Sequence, residues 1–320
     1  MKLSVDIICT VKDEMTNISE LIDDMKNQVI QPNKVIIVDG GSSDGTYEYL
    51  LKQAEISKMF IVIQDLGEDN AGLTSPIARG RNMAINASKA VFLLMVDAGC
   101  RYHENWVGAY VKLIESGDGC ELLVGGSKLS GNCTSIDIAS APMLGFCLPS
   151  PGYSAKPTGT CRSLGISKAL FLRLNGFTEI SKTGEDTDFF LRAKKNAQVV
   201  PVPGGAAIYT PGYSFLGASS RLFNYASGDG SYSQSKKRFI VMLARSISQI
   251  FGIVLALASL YQLLLLSLMV EIFFAYRFDA LLLLKKHPVA IIPRLFFSLT
   301  TPYLYVLGYM RGAKGQQKQK

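Results

Sequence analysis

Short, uninterrupted apolar runs alternate with amphipathic stretches over the first hundred residues. Ser4 to Val11, "SVDIICTV", predicts a strand, and Thr16 to Gln28, "TNISELIDDMKNQ", predicts a helix capped by Asn17 or Thr16. "KVIIVDGGSSDGT" predicts a second buried strand, a Gly/Ser turn and a helix from about Thr46 with Asp44 as its cap. "MFIVIQDLG" gives a third strand. "PIARGRNMAINAS" gives a helix that feeds "AVFLLMVDAGC", whose apolar run Val91 to Val96 ends in Asp97. Strands of this kind alternating with helices imply a largely parallel sheet with right-handed crossovers. Ligands bind such sheets at the C-terminal strand ends, and here those ends carry Asp39, Asp65 and Asp97.

From Cys133 to Tyr213 the pattern loosens and is rich in Gly, Pro, Ser and Thr. It predicts one helix around "SKALFLRLNGF" and another carrying "GEDTDFFLRAKKN". After Arg245 the chain changes character. Glu271 is the one charged residue before Arg277, and "FGIVLALASLYQLLLLSLMV" is apolar all round, long enough for a hydrocarbon core of roughly 30 Å. A second apolar stretch, Val289 to Met310, is interrupted by Pro293, Arg294 and Pro302. It suits either a kinked span or a helix lying at the interface. Lys236, Lys237, Arg238 and Arg245 precede the pair, and Arg311, Lys314, Lys318 and Lys320 follow it. With both flanks cytoplasmic the two stretches form a hairpin, although Arg277, Lys285 and Lys286 in the connection oppose a clean crossing. The expected organisation is therefore an α/β domain over residues 1–235 and C-terminal membrane helices over 236–320.

Composition narrows the chemistry. A formal charge of +7 and a pI near 9.0 suit an anionic partner of some kind. The basic residues gather beside the apolar stretches and form no aromatic-interleaved patch, which argues against nucleic acid. Six cysteines without CxxC spacing and two histidines argue against zinc; buried reduced thiols are expected. No secretory signal precedes the first strand, so the main domain is expected on the cytoplasmic side.

Several short stretches carry chemistry. In "VDGGSSDGT", Asp39 ends a strand before a tight turn, where a carboxylate can accept from a base imide or a ribose hydroxyl; neither a dinucleotide fingerprint nor a P-loop is present. "ARGRN" supplies Arg79 and Arg81 next to the Asp97 strand, a pairing that suits a diphosphate, since guanidinium binds phosphate through paired hydrogen bonds. In "TGEDTDFFLR", Glu185, Asp186 and Asp188 favour a helix N-terminus, and clustering of this kind also raises a general base toward neutrality.

Taken in order, "CTVKDE", "VDGGSSDGT", "ARGRN", "VDAGC", "NGFTE" and "GEDTDFFLR" resemble a membrane-associated family 2 glycosyltransferase of the GT-A fold, over roughly Ser4 to Gly230. "RLFNYASGDG", Arg221 to Gly230, resembles the basic-aromatic segment that follows the catalytic loop in membrane-associated members. The resemblance implies a GT-A (Rossmann-like) mixed, largely parallel sheet with flanking helices. It also implies a nucleotide-diphosphate sugar as donor, Mg²⁺ or Mn²⁺ as cofactor, and inversion at the anomeric carbon. Thr10, Lys12 and Asp39 match the base and ribose site. Arg81 matches the arginine that helps hold the nucleotide, and Arg79 and Arg162 are placed with it. Asp97 matches the first carboxylate of the family's D-x-D and is the candidate metal ligand. In the "ED" pair, Asp186 matches the general base, with Glu185 beside it in the catalytic set.

One position departs from the family. Where D-x-D has its second carboxylate this chain has Gly99, so an ion meets Asp97, diphosphate oxygens and water, or else arginine and lysine neutralise the leaving group. The expected reaction is sugar transfer to a membrane-associated acceptor, a lipid-linked saccharide or glycan. The alternatives are direct transfer to polyprenyl phosphate, and a catalytically impaired nucleotide-sugar-binding protein.

Overall fold

The computed structural model describes residues 4–67, 75–117, 119–144, 159–180, 183–232, 236–257, 265, 268–269 and 288–317. They form two compact units, one of Met1–Ser130 with Gly152–Thr210, the other of Gly131–Pro151 with Pro211–Lys320. The hydropathy boundary expected at residue 235 is a different division from this one by contact, in which Gly131–Pro151 and the chain from Pro211 group with the C-terminal helices.

The first unit opens with β1 (Val5–Val11), α1 (Ile18–Lys26), β2 (Lys34–Asp39), α2 (Thr46–Ile56), β3 (Phe60–Gln64), α3 (Pro76–Ala87) and β4 (Phe92–Asp97). There follow β5 (Cys100–Arg101), α4 (Trp106–Glu115), β6 (Leu122–Val124) and β7 (Ser127–Leu129). After α5 (Ser135–Leu144), which belongs to the other unit, come β8 (Leu164–Ser167), α6 (Lys168–Arg173), α7 (Glu185–Ala193), β9 (Val199–Pro201) and β10 (Ala207–Tyr209). A seven-stranded sheet runs β3-β2-β1-β4-β8-β6-β9. Strands β1 to β4 are mutually parallel, and β8 runs antiparallel to both β4 and β6. The sheet is therefore mixed and largely parallel. A three-stranded sheet, β5-β10-β7, stands apart from it.

Alternation along the strands sorts two cores. Ile7, Val35, Ile37, Leu94 and Val96 face α1 and the Trp106 and Tyr110 rings of α4, while Ile8, Ile36, Val38, Leu93 and Met95 face Ala84 and Ile85 of α3 and the rings of Phe171, Phe177 and Phe189. Local expectations differ in detail. α1 begins at Ile18 with Asn17 at the N-cap position, but the Asn17 side chain makes no cap bond, its amide donating instead to Glu14 Oε2 at 2.9 Å. The N-cap of α2 is Gly45, but Asp44 still accepts from Thr46 N at 3.0 Å and so serves that helix end. The segment before α6 begins as strand β8, and Ser167 then caps the helix by accepting from Leu170 N.

The second unit holds α5, α8 (Phe215–Ser231), α9 (Lys236–Leu257), a 3₁₀ turn at Pro288–Ala290 and α10 (Ile291–Gln317). α10 continues through Pro302, so the stretch expected to be interrupted is one helix. It packs along α8 at backbone distance: a Cβ placed on Gly308 or Gly312 would overlap the carbonyl oxygens of Phe223 and Ser227. Among the described residues no helix is long and apolar enough to cross a membrane. Half of the apolar run 251–270, and Cys147, lie outside the described residues.

Candidate active site

The strand ends line up as the parallel register dictates. Thr10 stands beside Asp97, and Val11 beside Asp39. The loops after β1 and β2 are stitched to each other. Asp13 N donates to Ser42 Oγ at 2.9 Å, Ser43 N to Asp13 Oδ1 at 2.8 Å, and Met15 N to Asp44 Oδ2 at 2.9 Å. "VKDE" and "GGSSDG" thus form one platform, with Lys12 exposed on it. Asp39 is fully buried beneath: Oδ1 accepts from Gly41 N and Ser42 N at 2.9 Å, and Oδ2 accepts from Ser42 Oγ. Its carboxylate shapes the turn.

α3 reaches these strand ends because residue 80 is glycine; a Cβ there would sit 2.9 Å from Thr10 Cγ2 and 3.3 Å from Val38 Cγ1. Its two arginines then diverge, since residues two apart on a helix do not share a face. Arg79 Nε donates to Asp65 Oδ2 at 2.7 Å and Nη2 to Gly67 O at 3.0 Å, so this side chain serves the end of β3 and does not join Asp97. Arg81 turns inward and is buried. Its Nη1 donates to Glu185 Oε1 at 2.6 Å, its Nη2 lies 3.3 Å from Asp97 Oδ1, and its guanidinium stands over the Phe177 ring. Burial opposes the Arg81 charge, but Cys161, Glu185 and Asp97 around it leave its pKa raised.

On the other side of Asp97, Arg162 Nε lies 3.8 Å from Oδ2 and its guanidinium stacks over Tyr209. Asp97, with 36% of its side chain exposed, is therefore a carboxylate held between two cations at an open strand end. Tyr102 fixes this pair. Its buried hydroxyl accepts from Asp97 N at 2.9 Å and donates to Arg162 O at 2.8 Å. Below it, Trp106 Nε1 donates to Ser163 Oγ and Gly205 O, which anchors the segment that carries Arg162.

The acidic cluster separates into three environments. Gly184, with a φ of 93°, starts α7 and turns Glu185 into the buried site. Burial first, then the neighbouring Asp186, push Glu185 up to about 7 against the opposing pull of Arg81. Asp186 remains partly accessible, with Oδ1 accepting from Thr187 N at 2.7 Å. Asp188 faces away and accepts from Thr178 Oγ1 and Arg192 Nε. Arg192 in turn holds Leu174 O and Gly176 O, while Asn82 holds both backbone groups of Phe177, so the "NGF" turn is clamped from two helices. The sequence reading missed Tyr102, Asn82 and Arg192. Asn82 lies inside "ARGRN" and Arg192 ends "GEDTDFFLR", so their proximity to charged motifs was the available signal.

The donor set does not fit a preformed cation site. Asp97 is flanked by guanidinium groups, Gly99 has no side chain, and among the described residues no group of three His, Cys, Asp or Glu side chains converges. Cys9, Cys100 and Cys161 are thiols buried around Asp97 and Arg81, and burial pushes the Cys100 thiol up to about 12.

Residues 6–126 match the model of the glycosyl transferase family 2. No curated protein sequence matches the chain significantly. Among solved structures, the chain is similar to a mannosyltransferase from Pyrobaculum calidifontis in complex with GDP-Man and Mn²⁺, at 14% identity and a TM-score of 0.59 over 98% of this chain and 87% of that one. It is also similar to S. aureus TarS 1-349 in complex with UDP-GlcNAc, at 15% identity and a TM-score of 0.50 over 99% and 93% of the two chains. A third similar structure is glucosyl-3-phosphoglycerate synthase from Mycobacterium tuberculosis in complex with phosphoglyceric acid, at 15% identity and a TM-score of 0.50 over 73% and 82%. These likenesses share the mixed sheet described above, and together with the family match over residues 6–126 they support an enzyme of the glycosyltransferase type.

Proposed function

We propose that this enzyme transfers a sugar from a nucleotide-diphosphate sugar, with inversion, to an acceptor presented at a membrane, such as a lipid-linked saccharide or glycan. The observation that carries the reading is Asp97 at an open strand end between Arg81 and Arg162. Glycosyl transfer separates a cationic sugar from a departing diphosphate, so the leaving group needs fixed positive charge. Arg162, and Arg81 released in part from Asp97, supply it where a caged ion is lacking. Thr10 and Lys12 border the nucleotide, with Asp39 shaping the turn under it. Asp186, beside the site and accessible, takes the acceptor proton on the face opposite the leaving group. Glu185 holds Arg81 in place. Asp97 is the residue that would hold a divalent ion, which would add positive charge beside the diphosphate.

The basic flanks of the C-terminal helices support a cytoplasmic catalytic unit. Detergent-purified full-length protein should release nucleoside diphosphate from one member of a panel of UDP-, GDP- and dTDP-sugars. Release stimulated by a membrane extract supports the acceptor class, and stimulation by polyprenyl phosphate alone would shift the reading to a lipid-phosphate sugar synthase. Absence of release from every donor, with nucleotide binding intact, would overturn it in favour of a binding protein.

A further inference from the structure

α9 and α10 each leave an apolar stripe uncovered. On a helix that packs on a protein core in water, the apolar stripe faces inward. On α9 Ile240, Leu243, Ile247 and Ile250, spaced three and four apart, and Phe251 beside them are exposed, Ile247 at 58% and Phe251 at 61%. Its covered positions mix aromatic and polar residues, with Phe239 stacked on Tyr309 of α10. Ser246 and Gln249 are buried, and Arg245 Nη2 donates across to Ser298 O and Ser298 Oγ of α10.

α10 has a similar stripe. Ile292, Phe296, Leu299, Leu307 and Met310 are exposed along one side, Ile292 at 78%. Phe297, Ser298, Thr301 and Tyr305 are buried on the other, with Gly308 and Gly312 where the backbone meets α8. Two helices that each leave an apolar stripe uncovered over a filled interior mark an interaction surface.

Charge selects among possible coverings. α9 carries Lys236, Lys237, Arg238 and Arg245, α10 carries Arg294, Arg311 and Lys314, and neither has an acidic residue. A second copy of the chain would bring these cations together, whereas an anionic lipid surface neutralises them. Among the described residues neither helix is long and apolar enough to cross a bilayer.

We propose that α9 and α10 form a helical pair whose apolar stripes lie along the boundary between headgroups and acyl chains of an anionic bilayer. The inference rests on the membrane-presented acceptor proposed above and adds the surface that meets the lipid and its lie in the plane.

The test is flotation of the full-length protein with phosphatidylcholine vesicles, with and without phosphatidylglycerol, after removal of detergent. The wild type should float with the anionic vesicles. Ile247→Glu combined with Ile292→Glu should lose flotation about tenfold or more, and Lys236→Gln combined with Lys237→Gln should weaken it on the order of tenfold on anionic vesicles alone. Release of nucleoside diphosphate, measured in parallel, should be unchanged in both. A tryptophan placed at position 247 should be quenched more by bromines near the headgroups than by bromines at the bilayer centre, a reading that needs no loss of function. Flotation of the variants like the wild type, or strongest quenching from the bilayer centre, would overturn the proposal, as would a wild-type protein that stays in the aqueous layer as a dimer. Normal flotation without any release of nucleoside diphosphate would instead overturn the catalytic reading and leave this one standing.

Discussion

The two units of this chain place their apolar residues differently. In the first, Val, Ile and Leu are buried on both faces of a sheet, and arginine and carboxylate are brought to the strand ends. In the second, Phe297 and Tyr305 are packed inside with serine, threonine and glycine, and a row of isoleucine, leucine and phenylalanine is turned out. On the proposal above, that row is covered by lipid, whereas the first unit completes its burial by itself. The sheet unit tolerates a buried cation because carboxylates surround Arg81. The helical unit tolerates close helices because Gly308 and Gly312 leave room for backbone.

If that contrast is right, damage to one unit should leave the other's property intact. The largest effect is expected from Asp186→Asn, which should cut turnover by roughly 10²–10⁴ while nucleotide binding and vesicle flotation stay near wild type. Single-turnover kinetics checks this, and wild-type turnover would remove Asp186 from the proton-acceptor role. Arg81→Gln leaves Glu185 and Asp97 facing each other without their cation, and should lower stability by about 3–5 kcal/mol in urea denaturation. A loss well below 1 kcal/mol would mean that this network is weak.

Smaller effects sharpen the other side. Gly312→Val would drive a side chain into Ser227 O, so the α8–α10 contact should loosen at a cost of about 1–3 kcal/mol. Proteolysis should then reach α10 sooner while nucleoside diphosphate still binds; unchanged resistance would contradict the close packing. Glu185 gives a pH signature confined to the first unit. Burial raises its folded-state value from 4.5 to about 7, so the folded protein holds this proton more tightly. Its stabilising contribution is complete below 4.5 and is lost as pH rises to about 7. Thermal unfolding across that window should fall with pH in the wild type and flatten in Glu185→Gln. Parallel curves would show that Glu185 does not titrate there.

Much of the first unit is legible in the sequence because buried strands write themselves as continuous apolar runs, and the parallel register then brings Thr10, Asp39 and Asp97 to neighbouring strand ends without further information. The divergence of Arg79 from Arg81 was legible too, since a spacing of two on a helix separates faces. What could not be read is which distant groups satisfy which polar atoms. The Tyr102 hydroxyl reaches Arg162 across 60 positions, and Asn82 reaches Phe177 across 95; such partners are chosen by the packed fold and not by local pattern. The outward stripes of the second unit were hidden for a related reason. Apolar stretches announce that α9 and α10 are apolar, but only packing tells which side is covered.

The central claim is that Arg81 and Arg162, arranged about Asp97, provide the positive charge that binds the diphosphate of the sugar donor. Calorimetric titration of nucleoside diphosphates into the wild type and Arg162→Gln, each with Mn²⁺ and with chelator, tests it most directly. The account predicts binding that survives in chelator and weakens about tenfold or more in Arg162→Gln, as expected for a lost charge-assisted contact. Binding that vanishes in chelator and is indifferent to Arg162→Gln would contradict it.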